Sequence, residues 1–233
     1  MESLDAGEIL ALLPAYNEAT RAAPVVTVAR TFLPVLVVDE GSQDETAAVA
    51  RAAGADVYRQ EPNQGEVQAL RAGFGWALEK GYKAVIVLAA DGQHNPGEIP
   101  AFLALHGQAH PDLIIGVRDF RLMPVVRRVA NWLGSRTLAW ALGQAVHDNQ
   151  SGYRLLSRRL MKRTFRSAES GFEFEVEMIV TCVEAGYTLA WVPIPTIYGT
   201  APSNIRAWQH FTNFLRIVRE TRRRTRTAAR SGR

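Results

Sequence analysis

The sequence predicts an α/β domain built on a doubly wound, mainly parallel sheet with helices on both faces. Three observations carry that reading. Short apolar runs alternate with helical stretches of about 10–15 residues, the order that parallel sheets require. The runs are continuously hydrophobic rather than alternating, as in strands buried on both faces. Three of them end in polar clusters: Pro14-Ala15-Tyr16-Asn17-Glu18, Asp39-Glu40-Gly41-Ser42 and Asp91-Gly92-Gln93-His94. Open α/β sheets bind ligands beyond the carboxyl ends of their strands, so three polar strand ends in succession point to one crevice.

Taken in order, residues 8–13 form a first buried strand and 20–31 a helix. Residues 34–38 are a second strand, followed by a helix over 43–53 that carries acids in its first turn and is closed by Gly54. A third strand spans 56–59, and a long helix spans 65–80 and stops at Gly81. The run 84–88 is the fourth strand; Pro96 opens the next helix, and residues 112–117 form a strand ending at Arg118. Beyond it the pattern loosens. An amphipathic helix covers 123–142, the polar stretch Asp148-Asn149-Gln150-Ser151-Gly152-Tyr153-Arg154 follows, and helices are expected over 157–166 and 172–184. Short strands over 187–192 and 196–198, an amphipathic helix over 205–220 and a basic, frayed tail complete the chain.

Composition narrows the function classes. The 233 residues, 47% hydrophobic, suffice for one domain with a large core. No apolar run approaches the roughly 20 residues that span a bilayer, and the acidic start is unlike a signal peptide. The single cysteine, Cys182, in an apolar helical context suits a buried thiol in a reducing compartment, so the cytoplasm is the default location. Charge is uneven: residues 1–100 hold 14 acids and 7 bases, residues 101–233 hold 9 acids and 20 bases. The second half therefore calls for an anionic partner. No nucleic-acid-binding signature accompanies it.

The stretches PAYNEA, VVDEGSQDET, NQGEVQALRAGF, ADGQHNPGEIP, IIGVR, DNQSGYR, GFEFEVEM and VPIPTIYG occur together in the order and spacing of the family 2 glycosyltransferases. The chain resembles the branch that includes dolichol-phosphate mannosyltransferase and bacterial polyprenyl-phosphate glycosyltransferases, from about Ile9 to Val218. The resemblance implies a nucleotide-sugar-binding domain of the GT-A type over residues 1–220, with a nucleotide half to about 118, an acceptor half from 119, and a flexible tail over 221–233. It implies an inverting transfer of a sugar from a nucleotide-diphosphate donor to a polyprenyl phosphate or similar lipid acceptor. By the same resemblance Pro14, Tyr16 and Glu18 line the nucleotide pocket and Asp39 accepts a hydrogen bond from the base. Asp91 holds Mg²⁺ or Mn²⁺ against the diphosphate, with Gln93 beside it. Arg118, Arg127, Arg128 and Arg154 bind phosphate. Asp148 and Gln150 lie at the acceptor edge, and Glu175 near the acceptor; Asp91, Asp148, Arg154 and Glu175 are the expected catalytic set.

The chain also departs from the pattern. Ala89 replaces the first acid of Asp-x-Asp, Glu40 the second acid of Asp-Asp-Gly-Ser, and Glu66 and Val67 stand where a basic residue and a glycine are usual. Ser203-Asn204 and His210 depart further on. A methyl group cannot ligate a hard cation, although Mg²⁺ is often held by one or two carboxylates plus substrate phosphates. These changes also suit a second reading, a degenerate member that binds nucleotide sugars or acts as a scaffold. An ionised lipid phosphate needs little help from a general base, whereas the leaving diphosphate needs positive charge, which guanidinium groups supply with paired hydrogen bonds. His94 reads either as a metal ligand or as a hydrogen-bonding residue at the helix start. Trp132 and Trp140 read as packing or interface residues. The apolar stripe Ile205, Trp208, Phe211, Phe214, Leu215 and Val218, followed by arginines, reads equally as a contact for an anionic membrane or as a core-packed helix.

Overall fold

A computed structural model describes residues 6–165, 173–197 and 207–231. Their centre is a seven-stranded sheet. In chain order the elements are β1 (Ile9–Ala15), α1 (Ala22–Ala29), β2 (Val35–Asp39), α2 (Thr46–Ala52), β3 (Asp56–Arg59), α3 (Glu66–Glu79), β4 (Ala84–Val87), α4 (Ile99–Ala109) and β5 (Leu113–Arg118). There follow α5 (Val125–Leu142), β6 (Arg154–Ser157), α6 (Arg158–Thr164), α7 (Glu173–Glu184), β7 (Leu189–Ile194) and α8 (Ala207–Ser231).

The sheet order is β3-β2-β1-β4-β6-β5-β7. All neighbours run parallel except β6, which is antiparallel to both β4 and β5. Strands β1, β2 and β4 are buried at every position, which is why their sequences are unbroken apolar runs. Alternate residues feed two cores. Leu10, Leu12, Leu36, Val38, Val85 and Val87 pack beneath α3, α5, α6, α7 and α8. Ile9, Ala11, Leu13, Val35, Val37 and Ile86 pack against α1 and α4. Helix α3 lies so close to the sheet that a Cβ on Gly73 would sit 2.3 Å from Leu12 Cδ1.

The sequence reading places the first five strands correctly to within a residue or two and misses β6. That strand is only four residues long and buried. Because it runs backwards, its first residue lies at the carboxyl edge of its parallel neighbours, and the stretch 148–153 is delivered to the same edge as the ends of β4 and β5. The strand expected over 187–192 is β7, shifted to 189–194, and Thr196 and Ile197 are not in a strand. Tyr198, Ser203, Asn204 and Ile205 lie outside the described residues, as do the side chains of Trp208, His210 and Phe211. Where the sequence suggested a helix ending at 220 and a loose tail, α8 continues to Ser231. Thr221 is buried, Thr225 Oγ1 donates to the Ala141 carbonyl at 3.0 Å, and Arg224 pairs with Glu184 at 3.2 Å. Ile217 and Val218 are buried and Phe214 packs on the same core, so this part of the stripe belongs to the interior.

Candidate active site

The crevice opens where β1 stops pairing with β4. Their register ends at Leu12 and Val87, whereas β1 stays paired with β2 as far as Ala15 and Asp39. This is a topological switch point, the place where ligands enter such sheets. Pro14 lies beyond the last residue paired with β4 and is buried, and Tyr16 then emerges 44% exposed.

The loops after β1 and β2 are laced together. Asn17 N–H donates to Ser42 Oγ at 2.9 Å, Gln43 N–H to Asn17 Oδ1 at 2.9 Å, and Glu18 N–H to Thr46 Oγ1 at 2.8 Å. The turn needs a left-handed residue at Gly41 (φ 75°), where an added Cβ would stand 3.0 Å from the Gln60 carbonyl oxygen. Asp39, fully buried, accepts the Ser42 N–H on Oδ1 at 3.0 Å. Its Oδ2 is buried without a hydrogen-bond partner; the Arg59 Nε is 3.7 Å away. An orphaned carboxylate oxygen at a strand end is an acceptor waiting for a donor. Glu18 is bound to Arg21, with Nε–Oε2 at 2.6 Å. Burial, together with the charges of Asp91 and Asp44, holds its carboxyl above the usual range despite Arg21.

Glu40 is buried beside Asp39. Burial first, then the charges of Glu66 and Asp39, push its carboxyl up to about 7. Glu66, at the start of α3, also bears on Asp91. This end of the crevice is therefore acidic.

Beyond β4, Asp91 accepts the Gln93 N–H at 2.9 Å and the Gln93 Nε2–H at 2.6 Å. The Ala89 N–H donates to His94 Nδ1 at 2.9 Å. That bond assigns the neutral tautomer, with the proton on Nε2. Burial, reinforced by Arg118, lowers the imidazole to about 4, so His94 is an uncharged donor. It stacks on Tyr153 (5.1 Å between centroids), which stacks on Phe102 (4.6 Å). Of the two roles the sequence allowed, metal ligation is thus replaced by hydrogen bonding, because Nδ1 is occupied. Tyr153 went unremarked in the sequence; its place in the site follows from β6.

Arg118 at the end of β5 forms a two-pronged pair with Asp148, Nε–Oδ2 at 2.8 Å and Nη2–Oδ1 at 2.9 Å. Asp148 is fully buried and also accepts the N–H groups of Gln150 (3.0 Å) and Ser151 (3.1 Å). Every acceptor direction is used, so Asp148 orients Arg118 and does not serve as a base. The charges of Asp91, Arg118 and Asp148 all bear on His94, which marks these four side chains as one cluster.

One further expectation is corrected. Arg154 is only 1% exposed and donates to the backbone carbonyls of Ser151 (2.6 Å), Asn149 (3.3 Å) and Glu175. It is a brace holding the 149–151 loop to α7, not a phosphate ligand or catalytic group. Arg127 and Arg128 stand exposed on the first turn of α5, and no described contact joins them to the His94 cluster. Gln150 is half-buried at the loop's edge. Glu175 is placed on α7, where its carbonyl holds Arg154 and its charge faces that guanidinium.

For a divalent ion the residues offer the Asp91 carboxylate and the Gln93 amide oxygen; Ala89 contributes a methyl. Among the described residues, no group of three or more His, Cys, Asp or Glu is placed to hold a metal. One carboxylate fits Mg²⁺ only where substrate phosphates complete the coordination.

Residues 11–165 match the model of glycosyl transferase family 2. The chain is 31% identical over 201 residues to polyprenol monophosphomannose synthase of Mycolicibacterium smegmatis, covering 79% of this chain and 76% of that protein. It is 30% identical over 201 residues to undecaprenyl-phosphate mannosyltransferase of Micrococcus luteus, covering 80% and 82%. Its fold matches glucosyl-3-phosphoglycerate synthase of Mycobacterium tuberculosis in complex with phosphoglyceric acid, with a TM-score of 0.69 and 21% identity over 91% of this chain and 78% of that one. The chain thus belongs to glycosyltransferase family 2, with a GT-A-like fold, and is an enzyme that uses a nucleotide-diphosphate sugar.

Proposed function

We propose that this transferase moves its sugar, with inversion, onto the phosphate of a polyprenyl phosphate or similar lipid. The donor half of the reading rests on Asp39, a fully buried carboxylate whose open oxygen suits an N–H of the nucleobase. Tyr16, exposed beside it, offers a ring face to the base, and Glu18 an acceptor for ribose hydroxyls. The acceptor half rests on the two mannosyltransferases of lipid phosphates to which the chain is 30–31% identical.

The chemistry follows from charge. A lipid monophosphate with a second pKa near 6 is mostly ionised at neutral pH, so its oxygen attacks the sugar's anomeric carbon without a strong base. The bond to the departing diphosphate breaks as the new carbon–oxygen bond forms on the opposite face. Arg118, held in orientation by Asp148, and the neutral Nε2–H of His94 are the donors this chain offers to phosphate oxygens. A diphosphate entering a crevice lined by Glu18, Asp39, Glu40 and Asp91 needs counter-charge. A divalent ion would be held by Asp91 with Gln93 and would supply that charge to the leaving group. Glucosyl-3-phosphoglycerate synthase has been crystallised with Mn²⁺ and uridine diphosphate, which supports the same type of ion here. Peripheral contact with an anionic membrane, where such an acceptor resides, is part of this reading.

The test is product identification by mass spectrometry. The protein and its Ala89→Asp variant are incubated with a panel of nucleotide sugars, with undecaprenyl phosphate or phosphoglyceric acid as acceptor, and with Mn²⁺ or EDTA. A glycolipid from the unmodified protein is the expected result. Product on phosphoglyceric acid alone would move the acceptor to small acids. Product only from Ala89→Asp would favour the degenerate, binding-protein reading.

A further inference from the structure

Helix α5 has its polarity inside out. Its buried side begins with polar residues: Asn131 donates to Met123 Sδ at 3.1 Å and Ser135 to Asn149 Oδ1 at 3.1 Å, before Leu138 and Leu142 reach the core. Its outer side is apolar. Val125 (63% exposed), Val129 (48%) and Leu133 (51%) recur every four residues, and Val126 (82%), Trp132 (52%) and Trp140 (56%) flank them. At about 100° per residue these six share the side opposite Asn131, Leu138 and Leu142. Leu122, in the turn just before α5, is 64% exposed and extends the surface back towards Arg118. An exposed apolar stripe of this kind, broken only by Arg136 between Leu133 and Trp140, marks an interaction site.

Charge decides what covers it. The helix carries Arg127, Arg128 and Arg136 and no acidic residue. The Arg136 guanidinium lies 5.5 Å from the Trp132 ring centroid and that of Arg222 lies 4.7 Å from the Trp140 ring, so cations ride on the indoles, Arg136 within the stripe and Arg222 at its end. A second copy packed face to face would set arginines against arginines, because a two-fold interface juxtaposes the same patch. An anionic bilayer accepts both features: the aliphatic residues enter the acyl boundary, and tryptophan and arginine settle among headgroups.

We infer that the outer face of α5 is a membrane-docking surface for anionic lipid that sets the enzyme on the bilayer, whereas Phe214, Ile217 and Val218 of α8 pack inward. Residues Phe120–Leu122 join α5 to the Arg118 end of β5, so docking here brings headgroups beside the His94–Arg118 cluster. The inference rests on the lipid-acceptor reading for its purpose, but it is measured without donor or acceptor.

The experiment is co-sedimentation of the full chain with vesicles of phosphatidylcholine alone or mixed with phosphatidylglycerol. It compares the natural protein, Val129→Asp/Leu133→Asp, Arg136→Glu and, as a control for overall charge, Arg51→Glu on α2. Circular dichroism checks that each variant is folded, as exposed positions allow. Binding to the acidic vesicles is expected to exceed binding to neutral ones at least tenfold. The double variant is expected to lose it, Arg136→Glu to weaken it at least about fivefold, from roughly 1 kcal/mol for the basic residue lost at such a surface plus repulsion of the new carboxylate, and Arg51→Glu to leave it intact. Absence of binding, or binding indifferent to the double variant, overturns the inference. So does a dimer, seen by light scattering, that the double variant dissolves, since the stripe would then be an interface between copies. Vesicle binding without any glycolipid product would leave the docking surface standing and remove the acceptor reading. Product without vesicle binding would do the reverse.

Discussion

The two halves of the molecule meet at the same crevice and are built on opposite plans. On the donor side, the loops after β1 and β2 are tied to one another by backbone-to-side-chain hydrogen bonds, and the buried Asp39 Oδ2 is left without a hydrogen-bond partner, its nearest cation, Arg59 Nε, standing 3.7 Å away. On the acceptor side, the charged residues are spent on internal work. Asp148 is saturated by Arg118 and two N–H groups, and Arg154 by three carbonyls. What that half turns outward is the apolar, arginine-bearing face of α5. A rigid acidic pocket suits one small polar ligand, whereas a braced loop beside an apolar surface suits a ligand that arrives with a large apolar body.

The largest expected effect breaks the junction of β5 with β6 and β7, on which the second half is hung. Asp112, buried before β5, accepts from Ser157 Oγ (2.8 Å), Thr188 N–H (3.0 Å), Thr188 Oγ1 (3.1 Å) and Arg159. Burial alone would raise its carboxyl, but these donors bring it down to about 2. Asp112→Ala strands them and is expected to cost about 3 kcal/mol in urea unfolding. Since the folded value lies below the ordinary 3.8, the natural protein's share of this stability is complete above that pH and lost as pH falls towards 2.

Glu40 gives the opposite sign on the donor side. Its folded value of about 7 lies above the ordinary 4.5, so the unfolded chain ionises first. Stability is expected to fall as pH rises from 4.5 to 7 and to level off above. Glu40→Gln removes that slope and is expected to raise the melting temperature at pH ~8, by about 2 kcal/mol of stability, with little change at pH ~4. An unchanged difference between the two pH values would show that Glu40 is not strained by burial.

Asp39→Asn sharpens the comparison through binding. Loss of a charged acceptor is expected to weaken nucleoside-diphosphate affinity about 10- to 100-fold by calorimetry, with vesicle binding unaltered. The smallest effect is at Ala89. Ala89→Asp supplies a second oxygen ligand and is expected to tighten Mn²⁺ binding in the presence of nucleoside diphosphate severalfold, read by electron paramagnetic resonance.

The sequence made the parallel sheet legible because buried strands leave unbroken runs such as Val85-Ile86-Val87-Leu88, and strand ends leave polar clusters. It also made Asp39, Asp91 and Arg118 legible as residues at one edge. It did not reveal β6, whose Arg-Leu-Leu-Ser is too short to distinguish from the start of a helix, nor therefore the arrival of Tyr153 under His94. Arg154 was misassigned for a related reason: its partners are backbone carbonyls, which no sequence pattern displays. The outward stripe of α5 was present as spacing, but only the fold shows which of two apolar faces is covered.

The most direct measurement joins the two halves: initial rates of sugar transfer to polyprenyl phosphate carried in acidic vesicles and to a short, water-soluble polyprenyl phosphate. Each is measured for the natural protein and for Val129→Asp/Leu133→Asp. Transfer to both acceptors is expected from the natural protein, with the variant slowed about tenfold or more on vesicles and unchanged on the soluble acceptor. Equal rates for the two proteins on vesicles, or no transfer to either lipid phosphate, would contradict it.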